Sequence, residues 1–565
     1  MKISENVTLK IVSTLITVLF FNTSVFSQQK SNDRAALVEI EDDPYLETPR
    51  TTLETQPAYK VDEVDFFTRQ VNVDNNGNDM IGDAANEPSI AIDPTDSSRI
   101  IIGWRQFDNI SSNFRQAGFG FSSNEGMDWT FPGVIDPGLF RSDPVLDFDV
   151  DGTIYYNSLQ GTFECDVFTI NPGGFDIGPA VPARGGDKQW VHVDKSNSEG
   201  AGHYYSYWNT SFTTCEPGAF TRSTDNAQSF EPCVEIDNEP FWGTLATATD
   251  GTLYITGRNG AGSIVLLTST NAKDASTTVS WDAITNVDLD GELTFFEPIN
   301  PQGLSGQAWV SVDISNGVGR DNIYVLASVE RNSIFDPADV MFARSIDGGN
   351  TFEAPIRINT DTGTDAYQWF GTMSVAPNGR IDVVWLDTRD APVGTNESVL
   401  YYSFSDDQGN TWSDNTAISE SFDPNIGYPQ QDKMGDYFHM VSDNTNAHLA
   451  WAATFNGGQD VYYSQITPDS TLDTIENRIT TFGVNVYPNP IDASSVLDIE
   501  IGGFESAAIV LNDVSGREVV LPFETEITQS RTIQMNSFTQ SLPNGIYFLT
   551  VTIGTDKKTL KIIKQ

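Results

Sequence analysis

Apolar and polar residues along this chain fall into short paired runs. In "SIAIDPTDSSRIIIGWRQ", which starts at Ser89, two apolar arms flank a polar turn, and "MSVAPNGRIDVVWLDTRD" from Met373 repeats the arrangement around Pro-Asn-Gly. Period-two arms around a Gly, Pro, Asn or Asp turn predict β-hairpins. Five further segments share the pattern: "VLDFDVDGTIYYNSLQ", "WVHVDKSNSEGAGHYYSYWN", "TLATATDGTLYITGRN", "WVSVDISNGVGRDNIYVLASVERN" and "FHMVSDNTNAHLAWAATFN". That makes seven hairpins between Pro88 and Ile466, recurring about every 40 to 60 residues, the period of a four-stranded repeat unit.

A second repeat rides on the first. "SIDGGNTF" at Ser345 and "SDDQGNTW" at Ser405 are clean copies of one turn, and "SSNEGMDW" at Ser122 and "STDNAQSF" at Ser223 are worn ones; each follows an apolar strand. This frame resembles the Asp-box, or BNR, turn of sialidase-like β-propellers. The resemblance implies an all-β chain folded as a β-propeller, each box joining a third strand to a fourth, and the seven hairpins make it a seven-bladed one. Within the box the Asp accepts backbone N–H bonds, Gly takes positive φ and the aromatic packs between sheets, so Asp347 and Asp407 are expected to serve the fold. "VDEVDFFTRQVNVD" from Val61 is expected to add a strand that helps close the ring.

The ends differ from the middle. Lys2 and Lys10, the apolar run Ile11 to Phe21, and small residues at Val25 and Ser27 predict a signal peptide over 1–27, followed by an acidic linker over 28–60. The propeller is expected over 61–466 and a polar linker over 467–483. From 484 to 565 a compact β pattern carries "VYPNP", "LNDVSGREV", "LPNGIYFLTV" and a basic end, "KKTLKIIKQ". Their order and spacing resemble the C-terminal sorting domain of type IX secretion. That resemblance implies a small β-sandwich-like domain, the type IX secretion machinery as partner, a Bacteroidota source, and a protein secreted or attached to the outer cell surface. No later run approaches the apolar length of a transmembrane segment.

With 78 acidic and 31 basic residues the formal net charge is -47, which repels nucleic acid and excludes it as a partner. Three cysteines, Cys165, Cys215 and Cys233, allow one disulfide in an oxidising compartment, either Cys165 with Cys215 or Cys215 with Cys233. "DFDVDG" at Asp147 admits a calcium reading, but position twelve of such a loop would be Ser158, and a plain Asp-Gly turn accounts for the segment. No other cofactor is suggested, and a metal site stays unassigned.

In a propeller, loops entering the inner strands meet loops from the second-strand ends over the central channel. The first group brings Glu87, Asp143, Asp187, Lys188, Glu239, Trp242, Trp309, Trp369, Asp436 and Tyr437; the second brings Arg105, Asn209, Arg258, Arg331 and Arg389. Arginine forks recognise carboxylate or sulfate, and Trp faces stack on sugars, so Arg105, Arg258, Arg331, Arg389 and Lys188 are expected to clamp an acidic glycan on Trp242, Trp309 and Trp369. Tyr437, Asp436, Asp187 and His192 are the candidate catalytic groups. Sialidases combine an arginine triad, a Tyr nucleophile and an Asp acid, but this chain lacks their F/Y-R-I-P motif and carries seven units where their core has six. A polysaccharide lyase would use Tyr or His for elimination, and a glycosidase would use two carboxyls. The expectation is a secreted enzyme cleaving an acidic polysaccharide, as glycosidase or uronate lyase. The alternative is a non-catalytic cell-surface propeller that binds glycan or protein.

Overall fold

The structure, a computed structural model, describes residues 42–468, 482–492, 494–514, 516–553 and 556–564. The predicted signal peptide, most of the first linker and most of the second lie outside the described residues. The chain divides into two units, Met1–Pro468 and Asp469–Gln565. Both are all-β.

The first unit contains, among the described residues, seven antiparallel sheets of three to five strands and a two-stranded ribbon, Glu54–Pro57 with Asn78–Ile81. Every hairpin read from the alternation is an antiparallel pair, for example Trp190–Val193 with Tyr204–Tyr207. The first strands of the sheets are Ala84–Asp93, Arg141–Phe148, Trp190–Val193, Leu245–Thr247, Trp309–Val312, Gln368–Val375 and His439–Ser442. Each touches the next in chain order, and the last returns to the first. Because a sheet packed on both faces has no wet side, these strands are buried along nearly their whole length. The closing strand is the one expected near Val61: Phe66–Gln70 pairs with Asp460–Ile466, adding residues from the beginning of the unit to its final sheet.

The repeated turn behaves as a fold element. Ser345 Oγ donates to Asp347 Oδ1 at 2.8 Å, Gly349 N donates to Ser345 Oγ at 2.9 Å, and Thr351 donates to Asp347 through both its N and its Oγ1. Ser405, Asp407, Gly409 and Thr411 repeat this bond for bond, and the turns at Ser122 and Ser223 keep the same frame. A fifth, weaker copy appears at Ser269, where Asn271 replaces the Asp and accepts from Ser269 Oγ and Ser280 N. All five join a third strand to the segment that follows it.

Cys215 bonds to Cys233, settling the alternative left by the sequence, and Cys165 is a buried thiol. In "DFDVDG", Asp149 Oδ1 accepts N–H groups of Asp151 and Thr153, a turn duty, while Asp147 is taken by Lys195 and Val193 N. No group of three or more His, Cys, Asp or Glu among the described residues is arranged to hold a metal ion.

In the second unit, the described strands Phe482–Tyr487, Val496–Asp513, Glu518–Gln534, Gly545–Ile553 and Asp556–Lys564 form one hydrogen-bonded five-stranded sheet. The long strand Val496–Asp513 carries different neighbours on its two halves, Phe482–Tyr487 on the first and Gly545–Ile553 on the second, a pairing that by itself does not establish the expected sandwich. Val484, Leu497, Ile509, Leu549 and Ile562 are among its core residues.

Candidate active site

The first strands of the seven sheets begin unusually. A residue with φ in the left-handed region stands within four residues of the start of each: Glu87 (49°), Asp143 (46°), Lys188 (57°), Trp242 (59°), Gly306 (134°), Phe370 (55°) and Gly435 (100°). Five of these are not glycine, and such backbone is held only where the surroundings over-determine it. In three sheets the ladder slips here, between Asn86 and Ser89, between Asn157 and Leu159, and between Trp369 and Thr372. The slip re-aims side chains that strict alternation would send elsewhere.

The re-aimed groups converge on a cavity of about 410 Å³ lined by Arg105, Arg115, Asp143, Asp187, Lys188, Asn209, Trp242, Lys433 and Asp436, with Phe212 and Phe296 as further apolar wall. Asp436 is central. Its Oδ2 lies 2.7 Å from Lys188 Nζ and 2.6 Å from Lys433 Nζ, and its Oδ1 accepts Leu304 N at 2.9 Å. Lys188 Nζ is also 3.6 Å from Asp187 Oδ1, and Lys433 Nζ is 3.2 Å from Glu87 Oε1. Arg105 Nε donates to Asn86 Oδ1 and sits 3.1 Å from Glu87 Oε2, while Nη1 donates to Gln431. Arg105 Nη2 is buried and has no hydrogen-bond partner among the described residues.

Burial pushes the two central carboxyls up, but their neighbours decide differently. Burial dominates at Glu87, against Arg105 and Lys433, and carries it up to about 7. At Asp436, burial is overcome by Lys188 and Lys433 and by a hydrogen bond from Glu87, which together hold it well below the usual carboxylate range. Asp143 is likewise held down, to about 2, by Lys188 and Arg105 in spite of burial. Burial opposes the charge on Lys188, but Asp187 and Asp436 raise it well above an ordinary lysine, so it is an ammonium and not a base. Two adjacent carboxyls pushed in opposite directions, one kept protonated and one kept ionised, have the electrostatics of an acid–base pair.

Of the residues expected from sequence, Arg105, Asp187, Lys188, Trp242 and Asp436 line this cavity. The others lie elsewhere. Tyr437 packs edge-on against Trp190, and its hydroxyl donates to Pro144 O at 2.8 Å; burial drives its pKa well above that of an ordinary tyrosine. His192 lines a different cavity, of about 180 Å³, with Nε2 on Thr247 Oγ1 and Nδ1 3.4 Å from Asp147. The four arginines do not converge. Arg331 is taken by Asp290 and Asp339, Arg389 by Asp387, and Arg258 lies behind Trp242, 3.8 Å from Glu292. Each pairs with an acid on its own or an adjacent segment, so the four-arginine clamp is not built. Trp309 stacks on His439 in the core and Trp369 is fully buried with Nε1 on Ser398 Oγ, so neither offers a sugar platform.

Sequence reasoning did not single out Lys433, Gln431, Arg115 and Phe296. Lys433 stands three residues before Asp436 in "QDKMGDY", a spacing that in retrospect carries the signal. Pro301–Leu304 reach the cavity because Asn300 Nδ2 donates to Gly435 O and Gln302 N donates to Asp432 O.

Residues 485–565 match the secretion system C-terminal sorting domain, the type IX tail, so the chain is secreted or attached to the outer surface. No helix among the described residues is long and apolar enough to cross a membrane. No curated protein matches the chain. Among solved structures, a protein of unknown function from Dyadobacter fermentans DSM 18053 is similar at 15% identity and TM-score 0.40, over 73% of this chain and 99% of that one. The phage phi92 endosialidase is similar at 8% identity and TM-score 0.40, over 88% and 87%. A PL25 ulvan lyase bound to -[GlcA(1-4)Rha3S]- is similar at 10% identity and TM-score 0.36, over 68% and 94%.

Proposed function

We propose that the first unit is a seven-bladed, sialidase-like Asp-box propeller that cleaves an extracellular acidic polysaccharide in the 410 Å³ cavity. The observation that carries the reading is Lys188 Nζ lying 3.6 Å from Asp187 Oδ1 and 2.7 Å from Asp436 Oδ2, which gathers around one ammonium the two carboxyls that glycoside hydrolysis uses. Asp436, held ionised, is the base or nucleophile. Asp187 is its partner across the substrate, and Glu87, protonated up to about neutral pH, donates the hydrogen bond that helps keep Asp436 ionised. Arg105 Nη2 offers a buried N–H to the acidic group of the sugar, and Trp242 and Phe212 supply the apolar wall. Hydrolysis is favoured over elimination because Tyr437 and His192 are committed to other contacts and Lys188 is an ammonium.

The test is turnover of acidic polysaccharides by the mature chain, followed by reducing ends for hydrolysis and by ultraviolet absorbance for unsaturated uronates. Asp436→Asn and Asp187→Asn are each expected to lower the rate by about two orders of magnitude or more while the folded chain is still retained on glycan. Retention without any turnover would replace the enzyme with a glycan-binding propeller. Neither retention nor turnover would remove both.

A further inference from the structure

One guanidinium on the cavity wall is held by a segment that lies outside the sheets. Arg115 is only 5% exposed; its Nε donates to Ser142 Oγ at 3.0 Å, and its plane lies over the Phe140 ring at 4.5 Å. Those contacts aim the fork, and its Nη1 donates to Asp42 Oδ1 at 2.7 Å. Asp42 does not belong to a sheet. It sits on an extended segment outside any ladder, residues 42–49, touching the unit through a few bonds. Asp43 N donates to Asn113 Oδ1 and Asp43 Oδ2 accepts from Ser112 Oγ and Asn113 N, while the Tyr45 ring leans on Phe114 at 5.3 Å. Leu46 is 72% exposed, and a second cavity of about 340 Å³ separates the segment from Asn109 and Gln430.

Arg141 and Arg222 also hold partly wet acids, Asp136 at 39% and Glu231 at 31%, but neither arginine lines the cavity, and three other pairs are drier. Arg380, Arg331 and Arg389 pair with Asp382, Asp339 and Asp387, strand residues whose side chains are fully buried. The Asp42 side chain keeps 28% of its surface in water. A wet carboxylate on a loosely held segment, opposite a fixed and nearly dry guanidinium, has the arrangement of an exchangeable ligand.

We propose that Arg115 is an oxyanion subsite at the edge of the cavity, occupied by the chain's own Asp42, and that the carboxylate or sulfate of an acidic sugar displaces it. The 42–46 segment is thus an autoinhibitory strap whose release adds a second cationic fork beside Arg105. The inference rests on the cavity being the glycan site, but its test does not require turnover.

Calorimetry on the mature chain at low salt would measure binding of glucuronate, glucose 6-sulfate and glucose. Asp42→Asn is expected to tighten at least one of the two anionic sugars several-fold and leave glucose unchanged, with the larger gain identifying carboxylate or sulfate as the preferred group. The gain should vanish in the Asp42→Asn, Arg115→Gln double variant, and circular dichroism should report the same fold for all. Equal affinities in the parent and Asp42→Asn, or a gain that survives loss of Arg115, would overturn the subsite. If the gain is found and no polysaccharide is cleaved, cleavage falls and the subsite stands. If cleavage is found without the gain, the subsite falls alone.

Discussion

At the scale of single residues, the cavity's chemistry depends on how Lys188 and Lys433 divide their charge between Asp436 and Glu87. With Glu87 raised to about 7 and Asp436 held low, the working form has Asp436 ionised and Glu87 protonated. The rate should therefore hold through mildly acidic pH and fall as pH rises through about 7. Glu87→Gln should abolish that descending limb in a pH–rate profile while keeping measurable turnover; an unchanged limb would assign it to another group. Asp187, Lys188 and Asp436 were legible because the period placed them at the channel. Tyr437 and Trp309 were misleading for a physical reason: two and three residues past the left-handed Gly435 and Gly306, their side chains already turn into the core. Lys433 was legible only through its spacing from Asp436, and Arg115 was not legible, since only the closed ring brings its segment to the same wall.

At the scale of elements, the repeated turn and the disulfide divide the labour of holding strand ends. The box at Ser345 meets its bonding needs locally, which is why it could be recognised from eight letters. The Cys215–Cys233 bridge spans 18 residues of the third sheet, the one sheet of this unit with three strands among the described residues. By loop-closure entropy it stabilises the fold by about 3 kcal/mol, so reduction or the Cys215→Ala, Cys233→Ala variant should lower the melting temperature without displacing the cavity. A melt that does not respond to reductant would mean the loop is held by its packing alone. The pairing could not be chosen from sequence because both candidate loops were of ordinary length.

At the scale of the whole first unit, the seam where the ring closes contains buried acids. Asp83 is pushed up to about 8 by burial, and Asp460 and Asp79 are raised in the same direction. A carboxyl whose folded pKa exceeds its unfolded value of 3.8 binds the extra proton when folded, so its contribution to stability is lost as pH rises from about 4 to about 8. Asp83→Asn should match the parent in a thermal melt near pH 4 and gain steadily on it up to about pH 8. A constant difference across that range would show that Asp83 titrates normally. The ring was legible from the hairpin period and its closing strand from one apolar stretch, whereas the acids beneath the seam carried no pattern. The Thr68 to Ser464 hydroxyl bond across that seam joins residues 396 apart in sequence. Contacts of such separation are the slowest to form, so the last sheet must wait for the far end of the unit to be synthesised. The unit therefore leaves the ribosome open, with its final clasp made only after residue 466 has emerged.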